Sequence, residues 1–279
     1  MNTRTTSDPV AEAHSRGTGL GAFNVVLLEH AEAIALGADR AGLPVVFQIS
    51  QNCVHYHGAL APLTKATISI ARSLEVPALV HLDHADDVAL ITEAIDLGVD
   101  SVMFDGSKTP YEINVQTTRR VTEFAHARDV RVEAELGEVG GKDGAHAPGA
   151  RTNPDEAQQF AEQTGIDWLA VAVGTSHAMT TREAEVDTEL ISRIAQRTAT
   201  PLVLHGSSGL ADNMLQSAVR AGMTKVNIST HLNALFTQDV RAFLSGNPKQ
   251  VDPRRYVAPA RQSVAAEVER LLRILNLEP

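Results

Sequence analysis

Three histidines, His84, His177 and His205, each close a short apolar run. A neutral imidazole is a good zinc ligand. Three such nitrogens with one open position make a catalytic zinc site rather than a structural one. A single strand-end histidine more often donates to a loop carbonyl, but three at matching ends favour a metal. No HExxH-type local motif accompanies them, so the fold must bring them together. Asp83 stands beside His84. It could orient a ligand or move a proton as general acid/base. Neighbouring side chains on a strand point apart, so the acid/base reading is preferred. Two small-residue turns, Gly174-Thr175-Ser176-His177 and His205-Gly206-Ser207-Ser208-Gly209, offer backbone N–H groups that can hold a phosphate. Tight turns of this kind are common. Both on adjacent strands, with Ser229 and Thr230 on the next one, tilt the reading towards phosphate.

The elements that must position these groups repeat along the chain. Eight short apolar runs read as strands: Gly21–Val26, Val45–Ser50, Ala78–Leu82, Ser101–Phe104, Val130–Glu135, Trp168–Val173, Leu202–His205 and Lys225–Ile228. Amphipathic stretches such as Glu29–Ala41, Pro62–Leu74, Val88–Leu97, Ile113–Ala127 and Leu190–Arg197 separate them as helices. Gly42, Gly98, Gly165 and Gly222 fall where helices end. Eight strand–helix units in 279 residues predict an α/β chain with a TIM (β/α)8 barrel. An open doubly wound sheet is the competitor, usually with fewer strands. The polar residues then collect at one end of the strands: Asn24, Ser50, Asp83, Asp105, Glu133, Glu135, Asn227 and the three histidines. A barrel carries its chemistry at that end. One domain over 1–279 is expected, with a loop at about 137–153 and a C-terminal helical extension at about 253–277, its amphipathic part being Pro259–Leu275. A loop that long inside a compact domain is usually a lid or binding loop.

Composition narrows the partners. Hydrophobic residues are 43% and charged residues 21%, an ordinary globular balance. The net charge of −10 argues against nucleic acid as a partner, because no basic surface dominates. No run of eighteen apolar residues exists to cross a membrane, and the N-terminus lacks the apolar core of a secretory signal. The lone Cys53 rules out an intrachain disulfide. A cytoplasmic location is expected.

The motifs GAFNV (21–25), HLDH (81–84), DGS (105–107), EAELGEVGG (133–141), GTSH (174–177), PLVLHGSSGL (201–210), KVNIST (225–230) and DPRRY (252–256) together resemble the class II, zinc-dependent ketose-bisphosphate aldolases. That family includes fructose- and tagatose-1,6-bisphosphate aldolases. The resemblance runs in order from about Pro9 to Leu275. It implies one catalytic Zn2+ per chain held by His84, His177 and His205, and a monovalent cation as a further candidate ion. It makes Glu135 a carboxylate beside the metal and Asp83 the acid/base at the C4 hydroxyl. Asn227 orients the enediolate. Gly206, Ser208, Ser229 and Thr230, with the backbone at Ala178, cradle one phosphate. Asn24, Ser50 and Arg254 hold the other. A homodimer or homotetramer is implied too. The chain departs from the family pattern in three places. The loop reads Gly140-Gly141-Lys142-Asp143-Gly144, so Asp143 stands in for the usual loop glutamate. Ala178 replaces a glycine, and Ser229 stands where many fructose-specific members have aspartate.

These groups suit aldol cleavage of a ketose bisphosphate to dihydroxyacetone phosphate and an aldehyde phosphate. Zinc would stabilise charge next to the carbonyl, and a carboxylate would take the C4 hydroxyl proton. A Schiff-base lysine is the other route. Of the lysines only Lys225 falls on a strand, near its start, which argues against it. A phosphosugar epimerase or isomerase on the same barrel, and a sugar-phosphate-binding protein without catalysis, are the alternatives.

Overall fold

The computed structural model describes residues 8–136, 151–175 and 184–278. The chain opens with helix α1 (Pro9–Arg16). It continues through β1 (Leu20–Asn24), α2 (Leu28–Ala41), β2 (Val45–Ser50), α3 (Gln51–His57), α4 (Ala61–Ala71) and β3 (Ala78–Ala85). Then come α5 (Val88–Leu97), β4 (Ser101–Phe104), α6 (Tyr111–His126), β5 (Arg131–Glu135), α7 (Pro154–Thr164) and β6 (Trp168–Ala170). The last part holds α8 (Thr188–Arg197), β7 (Leu202–Leu204), α9 (Asp212–Ala221), β8 (Met223–Ile228), α10 (Thr230–Gly246) and α11 (Pro253–Leu275). The strands are all parallel and close into a barrel in chain order. The closure is the pairing of β1 with β8, where Leu20 faces Lys225 and Phe23 faces Ile228. An open doubly wound sheet has no such pair.

Alternation along each strand divides the apolar residues into two sets. Phe23, Phe47, Val80, Val102, Val132, Leu169, Leu204 and Val226 belong to the large core shared with the helices. Leu20, Ala22, Val46, Leu79, Met103, Trp168, Ala170 and Val203 form a separate cluster inside the barrel, joined there by Val10 and Ala13 of α1. Helix α1 thus plugs the lower end. Asp8 caps it, accepting from the N–H groups of Val10 and Ala11, and His14 Nδ1 lies 3.2 Å from Thr224 Oγ1 on β8. Above this floor the inward positions turn polar, and the chemistry begins there.

Several element boundaries differ from the sequence pattern, β1 ending at Asn24 and β3 running on to Ala85 among them. Strand β6 ends at Ala170 instead of Val173, because the returning chain captures the next backbone groups. Thr152 N–H donates to Ala172 O at 2.9 Å, and Ala172 N–H donates to Thr152 Oγ1 at 2.8 Å. Strand β7 ends at Leu204, one residue before His205. The last helix starts at Pro253, capped by Asp252, and runs through Pro259.

Helices α2 and α11 cross closely at Gly37. A Cβ there would lie 2.7 Å from both Ala265 O and Val268 Cβ. Overpacking of this kind costs about 1–3 kcal/mol. Gly37→Ala is therefore expected to lower the free energy of unfolding by that amount, measured by urea unfolding, while leaving the barrel mouth intact.

Candidate active site

Strand β3 carries the decisive irregularity. Its pairing with β4 runs His81 to Ser101 and Leu82 to Val102, then jumps to Ala85 opposite Phe104. Three residues on β3 advance against two on β4. His84 absorbs the extra residue with φ +49, a left-handed conformation for a residue with a Cβ. Such a conformation costs of order 1–3 kcal/mol and persists only where the surroundings enforce it. The bulge turns His84 into the barrel mouth beside Asp83, so the two neighbours do not point apart as simple alternation predicts. Ligand atoms of Asp83, His84 and His205 all lie within 4.8 Å of one another, as do those of His84, Asp105 and Glu135.

The two histidine rings sit 4.5 Å apart, edge to face at 72°. Each has one nitrogen engaged by a carboxylate. His84 Nδ1 is 2.9 Å from Asp105 Oδ2, and Ser107 Oγ donates to the other oxygen of Asp105 at 2.6 Å. His205 Nε2 is 2.9 Å from Glu133 Oε1, with both side chains fully buried. Carboxylates that grip one ring nitrogen fix the tautomer and leave the other nitrogen for a metal. His205 Nδ1 faces Glu135, whose Oε2 is 3.6 Å away. The donor set therefore fits a divalent ion that accepts imidazole and carboxylate. His177 and Ala178 lie outside the described residues, as do Glu138 and Asp143 in the long loop.

Asp83 is held by two amides. Asn24 Nδ2 donates to Oδ2 at 3.3 Å, and Asn227 Nδ2 reaches Oδ1 at 3.5 Å. Beneath them lies a buried polar layer. Lys225 Nζ donates to Gln48 Oε1 at 2.5 Å and to Asn227 Oδ1 at 2.8 Å, and pairs with Glu133 Oε2 at 2.9 Å. Gln48 Nε2 donates onward to Asn24 Oδ1 at 3.2 Å. His81 also sits in this layer, with Nδ1 at 2.8 Å from Ser101 Oγ. Its complete burial, and next the Lys225 ammonium, hold its pKa well below the usual histidine range. Its ring is neutral at pH 7.

On the other side of the mouth, β7 runs into the turn Ser207–Gly209, entered through Gly206 at φ +66. Only a residue without a Cβ takes that conformation cheaply. Ser207 Oγ donates to Asn227 O, and Ser229 N–H donates to Ser208 Oγ at 3.2 Å, so the turn is fastened to the end of β8. Helix α10 starts there, at Thr230, and Ser229 gives it no side-chain cap. A helix N-terminus attracts anions. Asn24, Ser50, Asp83, Asn227, Ser229 and Thr230 line one cleft with His84, Gly206 and Ser208. Aligned peptide dipoles, small residues and a clustered acid–imidazole group thus share one opening.

A model of the class II fructose-bisphosphate aldolase family matches residues 4–278. The chain belongs to this family. It is 36% identical over 285 aligned residues to the fructose-bisphosphate aldolase of Thermus caldophilus, covering 92% of this chain and 93% of that protein. It is 34% identical over 275 residues to the D-tagatose-1,6-bisphosphate aldolase subunit GatY of Klebsiella oxytoca, covering 96% and 95%. The solved structure of the YdjI aldolase from Escherichia coli K12 superimposes with a TM-score of 0.82 at 28% identity, covering 95% of this chain and 94% of that one. The family makes the chain a lyase, a ketose-bisphosphate aldolase on a TIM barrel. Among the described residues no helix is long and apolar enough to cross a membrane.

Against that family background one expected group stands apart. Arg254 does not line the cleft that holds Asn24 and Ser50. It lies in a shallow depression with Arg255, Ala258 and Gln262. Its side chain is 89% exposed and forks onto Asp252, with Nη2 to Oδ2 at 2.8 Å. The reason is local: Asp252 caps α11, and Arg254, two residues on, falls within its reach. Four groups went without a role in the sequence pattern: Asp105, Glu133, Gln48 and Lys225. The period-2 spacing of Glu133 with Glu135, and of Lys225 with Asn227, is the signal that puts each pair on one inward face.

Proposed function

We propose that this chain reversibly cleaves a ketose 1,6-bisphosphate of the fructose or tagatose type to dihydroxyacetone phosphate and an aldehyde phosphate, with one Zn2+ held by His84, His205 and His177. The observation that carries the proposal is the meeting of Asp83, His84 and His205 within 4.8 Å in a cleft that reaches Gly206, Ser208 and the start of α10 at Thr230. A zinc ion bound there supplies positive charge for the electron pair that the breaking C3–C4 bond leaves behind. Glu135 stands close enough to serve as a further ligand. Asp83, oriented by Asn24 and Asn227, takes the C4 hydroxyl proton. Asn227, with its amide N–H groups turned to the mouth, steadies the oxygen on the carbon that gains charge. Gly206, Ser208, Ser229, Thr230 and the backbone at Ala178 hold the phosphate of the dihydroxyacetone half, and Asn24 and Ser50 border the aldehyde half. Fixing both ends of the substrate turns remote binding energy into alignment. Asp143 is proposed to exchange the proton at the carbon that becomes dihydroxyacetone phosphate. A Schiff base has no support here, since the buried Lys225 is engaged by Gln48, Asn227 and its counter-ion Glu133.

A coupled triose-phosphate assay over a panel of ketose phosphates, with and without EDTA, tests this reading. Cleavage lost to EDTA and restored by zinc is the expected result. Binding without triose release would instead favour a sugar-phosphate sensor, and turnover without triose an epimerase.

Arg254 is proposed to hold the outer phosphate of a neighbouring barrel in an oligomer, because its own chain leaves it on the surface. Arg254→Ala is expected to raise KM for a bisphosphate far more than for a monophosphate. An equal rise for both would mean that Arg254 serves only the cap of α11.

A further inference from the structure

The geometry points to Lys225 as a positioning residue for both halves of the site, the proton-moving carboxylate and the metal-binding histidine. This rests on the roles proposed above for Asp83 and His205. Lys225 is fully buried in the barrel. A buried ammonium is costly unless each of its N–H groups finds an acceptor. Gln48 Oε1 and Asn227 Oδ1 accept from it, and Glu133, with Oε2 at 2.9 Å, is its counter-ion. An ammonium can only donate. It therefore dictates which way round each neighbouring amide sits. With Oδ1 of Asn227 pulled down to Lys225, Nδ2 must face up to Asp83 Oδ1. With Oε1 of Gln48 pulled down, Nε2 faces Asn24 Oδ1, and Asn24 in turn presents Nδ2 to Asp83 Oδ2. Both amides on Asp83 thus take their polarity from one charge below. The counter-ion carries the same control to the metal side, because Glu133 pairs through one oxygen with Lys225 and meets His205 Nε2 with the other.

A neutral residue in place of Lys225 removes this directing force. Asn227 and Gln48 become free to flip, and an amide carbonyl can then turn onto the Asp83 carboxylate. Glu133 keeps a buried charge without its counter-ion and no longer has a fixed orientation for His205.

The test uses the full chain as Lys225→Met and as the double variant Lys225→Met/Glu133→Gln. The double variant removes both charges together, so no lone ion is left inside the barrel. Three quantities are read: the melting temperature, the affinity of the metal-free protein for Zn2+ by competition with a chromogenic chelator, and kcat per bound zinc. Outer partners of metal ligands typically matter by 10–100-fold, and misplacement of reacting groups by about 10²-fold. The double variant is expected to fold. Its zinc affinity should fall about 10-fold or more, and kcat per bound zinc about 10²-fold, with KM little changed. A folded double variant with zinc affinity and kcat per zinc within about threefold of the parent protein overturns the proposal. So does a loss confined to the melting temperature, which marks a role in packing only. Failure of the unaltered chain to bind zinc or cleave substrate refutes the parent reading instead, so the two outcomes are separable.

Discussion

Asp83→Ala is expected to abolish nearly all cleavage while leaving the barrel and its metal in place. A positioned acid/base contributes about 10²–10⁴-fold to rate, so kcat should fall by that range with a much smaller change in KM. The structure supports the asymmetry. Asp83 receives Asn24 and Asn227, whereas His84 Nδ1 is held by Asp105 and His205 Nε2 by Glu133. The carboxylates that do engage those rings, Asp105 and Glu133, survive the substitution. Triose-phosphate release and zinc content per chain, measured on the same preparation, check this. Turnover within a few fold of the parent protein would remove Asp83 from the chemistry.

His205→Ala should act through the metal. His205 is fully buried, and its ring touches three partners that the variant cannot replace: Glu133 at 2.9 Å, Glu135 at 3.6 Å and the His84 ring at 4.5 Å. On the proposed set of three histidine ligands, its loss should strip most of the zinc at micromolar chelator. Removing the ring leaves Glu133 its counter-ion Lys225 but strips Oε1 of its partner, and a buried acceptor left unsatisfied costs about 1–3 kcal/mol. Zinc analysis and thermal unfolding should therefore both respond, unlike the Asp83 variant, where only turnover does. Tight zinc retained at full occupancy in His205→Ala would exclude His205 as a ligand.

Much of this was readable before folding, for identifiable reasons. Strands β2 and β4 fall at the positions their apolar runs mark: Pro44 precedes β2 and Ser50 ends it by capping α3, while Gly98 and Asp105-Gly106 bracket β4. Gly42, Gly98 and Gly165 adopt the left-handed conformation at helix ends that their spacing implies. The small-residue turn after β7 also falls where the sequence places it, fastened through Ser208 to the start of α10. The bulge at His84 was not. Simple alternation sends His84 away from Asp83, and only the register shift against β4 shows otherwise. Nor was the partner of each ring visible, since Glu133 and His205 are 72 residues apart and meet only when the barrel closes. The exposed place of Arg254 follows from its cap partner two residues upstream, a competition that a motif match does not weigh.

The plug at the barrel floor has a consequence for biosynthesis. Helix α1 and strand β1 leave the ribosome first, yet their partners Thr224 and Lys225 lie on β8, the last strand to be made. At about 5–20 residues per second, on the order of ten to forty seconds pass before β8 follows. Throughout that interval β1 presents one unpaired edge, and Val10 and Ala13 have no barrel to fill. An open edge of that kind is a template for pairing with other chains. The barrel is therefore most exposed to misassembly at its first strand, long before the catalytic mouth exists.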